Sequence, residues 1–281
     1  MKKIQIYNNS VRSFISYINE LIESKNLVFE FFKRDIKILY IQSFAAPLFY
    51  LVLPIIQSSI FSILIDIFSF SSSINNTSKF SNFINIMPIM IFWNLITYTL
   101  NRSSGSYIYY YKIINKIYFP RLIFFISPFL IGFFNFSIQF LIFFIIYLIF
   151  HGDFNLIILI RLLTFPFVIL YSFFLCLSLS ILIASVSIKY RDIVYILNFV
   201  LQFGLFLSPV LYSLSDLSGL KLIMISLNPF SAISETIRWI FFNNPINNLI
   251  YIIYNLLTII FLFLFSFIIF RKQEKIIADY V

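Results

Sequence analysis

KYRDIVYILNFVLQFGLFLSPVLY, from Lys189 to Tyr212, places Lys189, Arg191 and Asp192 within four residues, follows them with an uncharged run, and closes on Ser208-Pro209. About 20 apolar residues in a helix, rising about 1.5 Å each, cross the hydrocarbon core of a bilayer, whereas a charged corner belongs in water. The stretch reads as one membrane crossing that begins at a polar turn. Pro209, a helix breaker, lies near its far end.

The rest of the 281 residues has the same character: 61% are hydrophobic, 21% aromatic and only 11% charged. One soluble domain of this length cannot keep so much apolar surface from water, so the chain reads as an all-α integral membrane protein, with residues 1–281 forming a single transmembrane domain. Uncharged runs place spans at Leu122–Phe150, Leu162–Ile188, Ile193–Leu214 and Ile246–Phe270. Phe44–Ile65 joins them despite Pro47 and Pro54, because neighbouring helices and hydroxyl side chains can satisfy backbone groups that a proline frees. Phe80–Leu100, interrupted by Pro88 and several asparagines, is the least apolar and makes six.

Basic residues orient these six. With both termini cytoplasmic, the inner segments hold sixteen of the twenty lysines and arginines, and only Lys79, Arg161, Lys221 and Arg238 fall outside. Such asymmetry is the positive-inside pattern, so the net charge of +9 is read as a topology signal rather than as a nucleic-acid footprint. No secretory signal is expected at the N-terminus, whose first long apolar run begins at Phe44. Residues 10–40 instead carry helical periodicity. Glu30, Lys33, Arg34 and Lys37 recur on one side and Phe29, Phe32, Ile36 and Leu39 on another, as in a helix lying along the inner membrane surface. The plainer reading is an anchor that only orients the protein.

Candidates for catalysis are few. The five glycines, at 105, 132, 152, 204 and 219, cannot form a phosphate-cradling loop, so the chain is expected to lack an ATPase site and to bind no cofactor directly. His151 is the only histidine and Cys176 the only cysteine, which leaves no metal cluster. No acid falls inside a span: Asp66 sits at the end of the first and Asp192 at the start of the fifth, so ion-coupled transport lacks its usual carboxylate. If the protein moves a substrate, the energy comes from elsewhere.

Two segments suggest how. The inner stretch NRSSGSYIYYYKIINKIYFPR, Asn101 to Arg121, reads as a short helix with tyrosines and Lys112 and Lys116, separated by Pro120 from the span that follows. It is a candidate docking knob, since tyrosine offers contact area at low entropic cost, although an aromatic belt would look similar. The outer stretch 215–245 holds apolar runs too short to cross, Leu220–Leu227 and Ala232–Phe242, joined by Asn228-Pro229. They read as a re-entrant helical hairpin between the fifth and sixth spans. On its second helix Glu235 and Arg238 can pair at i,i+3, with Ile233, Ile237 and Phe241 on another side. An amphipathic surface loop is the simpler alternative.

The order of these features resembles the type-2 ABC exporter permeases, most closely the membrane subunits of polysaccharide exporters for O-antigen, capsule and teichoic acid chains. The resemblance rests on FFKRDIKILYIQS (Phe31–Ser43), FWN (Phe92–Asn94), KIYFPRL (Lys116–Leu122), KYRDI (Lys189–Ile193), SPVLY (Ser208–Tyr212) and LNPF (Leu227–Phe230), followed by Arg238 and Trp239. It departs at Ala46 and Phe49, where the family often has Gly and Trp, and at Ile89 to Phe92, where Gly and Pro are common. The resemblance implies a homodimer in a bacterial inner membrane, two cytosolic ATPase subunits that supply ATP hydrolysis, and a lipid-linked polysaccharide as cargo. It also implies an ATPase-coupling set of Lys33, Arg34, Tyr107, Tyr110, Lys112, Lys116, Arg121 and Arg191. Ser208, Pro209, Tyr212, Asn228, Pro229, Glu235, Arg238 and Trp239 would then form an outer gate. A polytopic glycosyltransferase or polymerase acting on lipid-linked sugars, an ABC exporter of another substrate, and a passive pore remain as alternatives.

Overall fold

The computed structural model describes residues 14–41, 45–68, 79–106, 121–151, 156–187, 189–190, 192–244 and 249–280. Among these the regular structure is helical throughout: α1 (Phe14–Glu23), α2 (Lys25–Ile41), α3 (Ala45–Phe68), α4 (Lys79–Ser104), α5 (Ile123–His151), α6 (Leu156–Leu162), α7 (Phe165–Ser187), α8 (Ile193–Leu207), a 3-10 turn (Leu214–Asp216), α9 (Gly219–Ser226), α10 (Phe230–Phe242) and α11 (Leu249–Tyr280). Five stretches are long and apolar enough to cross a membrane: Leu48–Ile65, Ser81–Ser104, Ile123–Phe150, Leu156–Ser187 and Ile250–Lys272.

The fifth expected span, Ile193–Leu214, is helical only over the 15 residues of α8. Ser208 is extended (φ −96°, ψ 145°), as the residue before a proline must be, and the apolar residues beyond it run in turns instead of helix. The fourth span begins earlier than the uncharged run indicates, because α6 carries Arg161 and continues into α7 through a two-residue turn. The last helix runs past Phe270, so Arg271 and Lys272 ride on it.

α4 is the axis of the bundle, packing against α3, α5, α7, α8 and α10. Its mean hydropathy of 1.5 is the lowest of the five crossing stretches, and its burial of 72% the highest. These two facts belong together: a helix sheathed by protein rather than by lipid can carry Asn94 and Thr97 within reach of protein partners. Asn94 Nδ2 donates to Gln57 Oε1 of α3 at 2.9 Å.

Side chains of α5 form an aromatic ladder, Phe129, Phe133, Phe136, Phe140, Phe143 and Tyr147, with successive ring centroids 5.5–6.0 Å apart. Phe92 of α4 meets Phe136 edge-on at 4.6 Å, so this ladder is helix-to-helix packing. Much of the aromatic content is thus spent inside the subunit.

Two apolar clusters fix which elements share an end of the bundle. One gathers Phe31 of α2, Leu122 to Phe125 around the start of α5, Ile181 and Ala184 late in α7, and Phe267 and Phe270 late in α11. At the opposite end α10 meets Tyr147, late in α5, and α6. The N-terminal helices and the α9–α10 hairpin therefore lie at opposite ends.

α2 packs on the bundle through residues outside the two faces that the periodicity distinguishes. Among its described side chains it buries Phe31 and Asp35, four residues apart, with Phe31 edge-on to Phe124, and leaves Phe29 exposed. Asp35 is only 5% exposed, and Arg34 closes on it with Nη2 at 2.6 Å and Nε at 2.9 Å from Oδ1. Tyr40 completes the docking by donating its hydroxyl to Asn135 Oδ1 of α5.

Candidate functional site

The hairpin is built on a short, buried helix. α10 has 13 residues, of which ten are buried, so it is part of the packed interior and not a loop lying on the surface. Asn228 starts it: its Oδ1 accepts the Phe230 amide at 3.0 Å, satisfying a donor that a helix N-terminus leaves orphaned. Asn243 ends it in the left-handed conformation (φ 56°), which asparagine tolerates. The first residue, Phe230, meets Trp93 at mid-length in α4, edge-on at 5.1 Å. The penultimate residue, Phe241, accepts the Tyr147 hydroxyl through its carbonyl at 2.8 Å. α10 thus runs from the middle of the bundle to its end.

Glu235 and Arg238 lie on the side of α10 that faces the segment following α8. Arg238 Nη1 is 3.2 Å from Glu235 Oε1, and Nη2 donates to the Val210 carbonyl at 2.9 Å. Glu235 Oε1 also accepts the Leu214 amide at 3.1 Å and, more weakly, the Ser213 hydroxyl at 3.5 Å. The two charges therefore do more than neutralise each other. They supply the partners that backbone groups of residues 210–214 lose where α8 stops, and they tie that segment to α10.

A second tie lies one helical element away. Ser208 Oγ donates to the Gly204 carbonyl and accepts Asn228 Nδ2, both at 2.8 Å. The end of α8 is thereby clasped to the start of α10. Gly204 faces α4, where the Trp93 ring lies within van der Waals reach of the position a Cβ would take.

Of the eight expected gate residues, Ser208, Asn228, Glu235 and Arg238 enter these two ties directly, and Pro209 is buried between them in sequence. Pro229 contributes its carbonyl, which accepts the Tyr171 hydroxyl of α7 at 2.7 Å. Trp239 faces elsewhere: the Arg161 guanidinium of α6 lies 4.9 Å from its ring and donates to its carbonyl at 2.9 Å. Tyr212 makes a long contact, 3.5 Å, to the Phe206 carbonyl and lies within electrostatic reach of Arg238. Sequence reasoning missed Arg161, Tyr147, Tyr171 and Asn255. Arg161 was weighed only as a topology charge, and the others looked like ordinary span residues. Asn255 of α11 donates to Ser231 of α10 at 2.8 Å, so α10 is held from every side that packs on it.

At the other end, Lys33 pairs with Glu30 at 3.2 Å and covers the Phe29 ring at 4.5 Å, both on the exposed side of α2. Arg34 is held by Asp35 and lies 4.6 Å over the Phe31 ring. Arg121, half-buried, immediately precedes the start of α5 and so sits at the same end as Phe31 and Phe124. Of the remaining coupling candidates, Tyr107, Tyr110, Lys112, Lys116 and Arg191 lie outside the described residues.

The family model for ABC-2 type transporters matches residues 27–242, from within α2 to the last residue of α10. No curated protein matches the chain.

Proposed function

The chain belongs to the ABC-2 type transporter family, and we propose that within it the protein is the membrane subunit of an exporter of lipid-linked polysaccharide. Membership makes it a multi-pass transporter subunit that works with a separate ATPase. In the proposed assembly two copies of the chain and two copies of a cytosolic ATPase move the polymer outward across a bacterial cytoplasmic membrane. ATP acts only through the partner. Both termini and α2 face the cytoplasm, and the α9–α10 hairpin re-enters the membrane from outside, completing the crossing that α8 begins.

The observation that carries this reading is the position of α10. A buried helix that starts beside Trp93 in the middle of the bundle, and is tied through Glu235 and Arg238 to the segment that follows α8, suits a part that opens or closes the outer end of a conduit. A wall for that conduit is at hand. Phe199, Phe203 and Phe206 of α8 and Phe49 of α3 are exposed, and Phe206 meets Phe61 of α3 at 6.1 Å, so α3 and α8 together present aromatic rings away from the subunit. Facing a second copy, such rings would offer stacking surfaces to sugar rings without charged binding residues. In this reading α2, with Lys33, Arg34 and Arg121 nearby, and the Tyr107–Lys116 segment receive the ATPase.

The test is deletion and complementation in the source bacterium, with surface polysaccharide stained and the protein purified with its associated partners. Loss of surface polymer, accumulation of lipid-linked polymer inside, and co-purification of an ATPase are expected. Normal surface polymer in the deletion strain defeats the cargo assignment and points to an exporter of another substrate.

A further inference from the structure

Between α3, α4 and α5, at the α2 end of the bundle, lies a cavity of about 150 Å³. Its position is unusual for a polar space, because all three helices are crossing stretches. Tyr50 comes from α3, Asn94, Thr97 and Asn101 from α4, and Asn135 and Gln139 from α5. Among its described lining residues none carries a formal charge at neutral pH. Polar side chains inside a membrane protein are costly unless satisfied, so their convergence from three helices calls for a reason.

Internal hydrogen bonds account for only part of them. Gln139 Nε2 donates to the Tyr50 carbonyl at 2.7 Å, Asn94 Nδ2 to Gln57, and Asn135 Oδ1 accepts from Tyr40. Asn135 Nδ2 has no hydrogen-bond partner, although Asn135 is only 5% exposed. A buried donor left over in this way costs free energy that a ligand can return. Tyr50 and Phe136 add aromatic carbon to the same walls.

We infer that this cavity binds one neutral sugar ring of the exported polymer, with Asn135 as the principal donor to a ring hydroxyl. Three features select that chemistry. Amides and hydroxyls both donate and accept, as sugar hydroxyls do. The arginine or lysine that a phosphate or carboxylate would call for is not among the described lining residues; the nearby Arg102, which acts on Tyr50 and Tyr98, is not one of them. The volume is below the roughly 300–1,000 Å³ of pockets that take drug-sized ligands, so the site suits one ring and not a chain segment. This inference rests on the polysaccharide reading and adds to it a contact point inside one subunit, apart from the exposed rings of α3 and α8.

The test is photo-crosslinking in cells that make their own polymer. A benzophenone amino acid is placed at Thr97 or, as a second position on a different helix, at Leu53; both line the cavity. A third position, exposed Phe199 of α8, reports on the proposed conduit. After irradiation the purified protein is stained for covalently attached glycan and its adducts are weighed, with membrane levels of each variant compared. Glycan adducts at positions 97 and 53, reduced about tenfold by Asn135→Leu as befits a lost buried hydrogen bond, are expected. Adducts at 199 but at neither cavity position overturn the inference and leave the polysaccharide reading standing. Lipid adducts without glycan at 97 and 53 also overturn it, by assigning the cavity to a lipid. If glycan appears at none of the three in variants present at normal levels, the polysaccharide reading itself fails.

Discussion

Arg238 Nη1 lies 3.2 Å from Glu235 Oε1 on one turn of α10, with side chains only 8% and 9% exposed, and each residue also holds a backbone group of the segment that follows α8. Removing one partner strands the other charge in a poorly solvated place, at a typical cost of about 3–5 kcal/mol, whereas removing both avoids that penalty. Glu235→Ala or Arg238→Ala should therefore lower thermal stability and export more than the double substitution does. Recovery in the double mutant will be partial, since the Val210 carbonyl and Leu214 amide stay without their side-chain partners. Melting curves in detergent and export per unit of membrane protein check this. Equal melting temperatures for single mutants and wild type would remove the pair from any structural or gating role.

Asn228 performs two tasks with two atoms. Asn228→Ala loses both the Phe230 cap and the Ser208 bond, and a lost cap alone costs about 1 kcal/mol. Asn228→Asp keeps the capping oxygen and loses only the bond to Ser208, so it should be the milder change. The comparison is read from thermal stability of the two variants side by side, and an aspartate variant as unstable as the alanine one would show that the cap matters little.

At Gly132 α5 packs closely on α4. A Cβ there would lie 3.1 Å from Leu95 Cδ1, Thr99 Oγ1 and Tyr98 Cδ1, so Gly132→Ala forces a buried interface apart. Overpacking of this kind costs about 1–3 kcal/mol. The purified variant should melt at lower temperature, and Leu95→Ala, which vacates one of the three clashing positions, should relieve part of the loss.

Topology has its own measurement. With both termini cytoplasmic, single cysteines at Lys79 and Lys112 lie on opposite sides of the membrane, so an impermeant maleimide added to intact cells should label the first and not the second. Native Cys176 is buried and can be replaced by alanine for this purpose. Equal labelling at the two positions defeats the six-span arrangement.

Coupling is tested where the tyrosine-rich segment lies. The purified chain should hydrolyse no ATP by itself, and the ATPase that accompanies it should be stimulated less, or retained less, after charge reversal at Lys112 and Lys116 together. Unchanged retention and unchanged export in the double variant would remove this segment from coupling and leave α2, with Lys33 and Arg34, as the contact.

Local physics was legible in the sequence. Uncharged runs located α3, α4, α5 and α7, and the start of α11, to within a few residues, since the need to match a hydrocarbon core acts on each run separately. The hairpin's two short helices, its Asn228-Pro229 start and the Glu235–Arg238 pairing likewise followed from spacing along one chain segment. What tertiary structure decided is who surrounds whom. Phe80–Leu100 looked the weakest span because it is read against lipid, yet α4 is surrounded by protein and its asparagine finds Gln57 across the interface. Asp35 carries no signal in the periodicity of α2, yet the packing buries it against the bundle under Arg34. Arg161, Tyr147 and Tyr171 each reach α10 from 58 to 94 residues away, and no periodicity announces a contact between segments so far apart. A span is selected by its solvent, one residue run at a time, whereas a site is selected by the packing of several runs together.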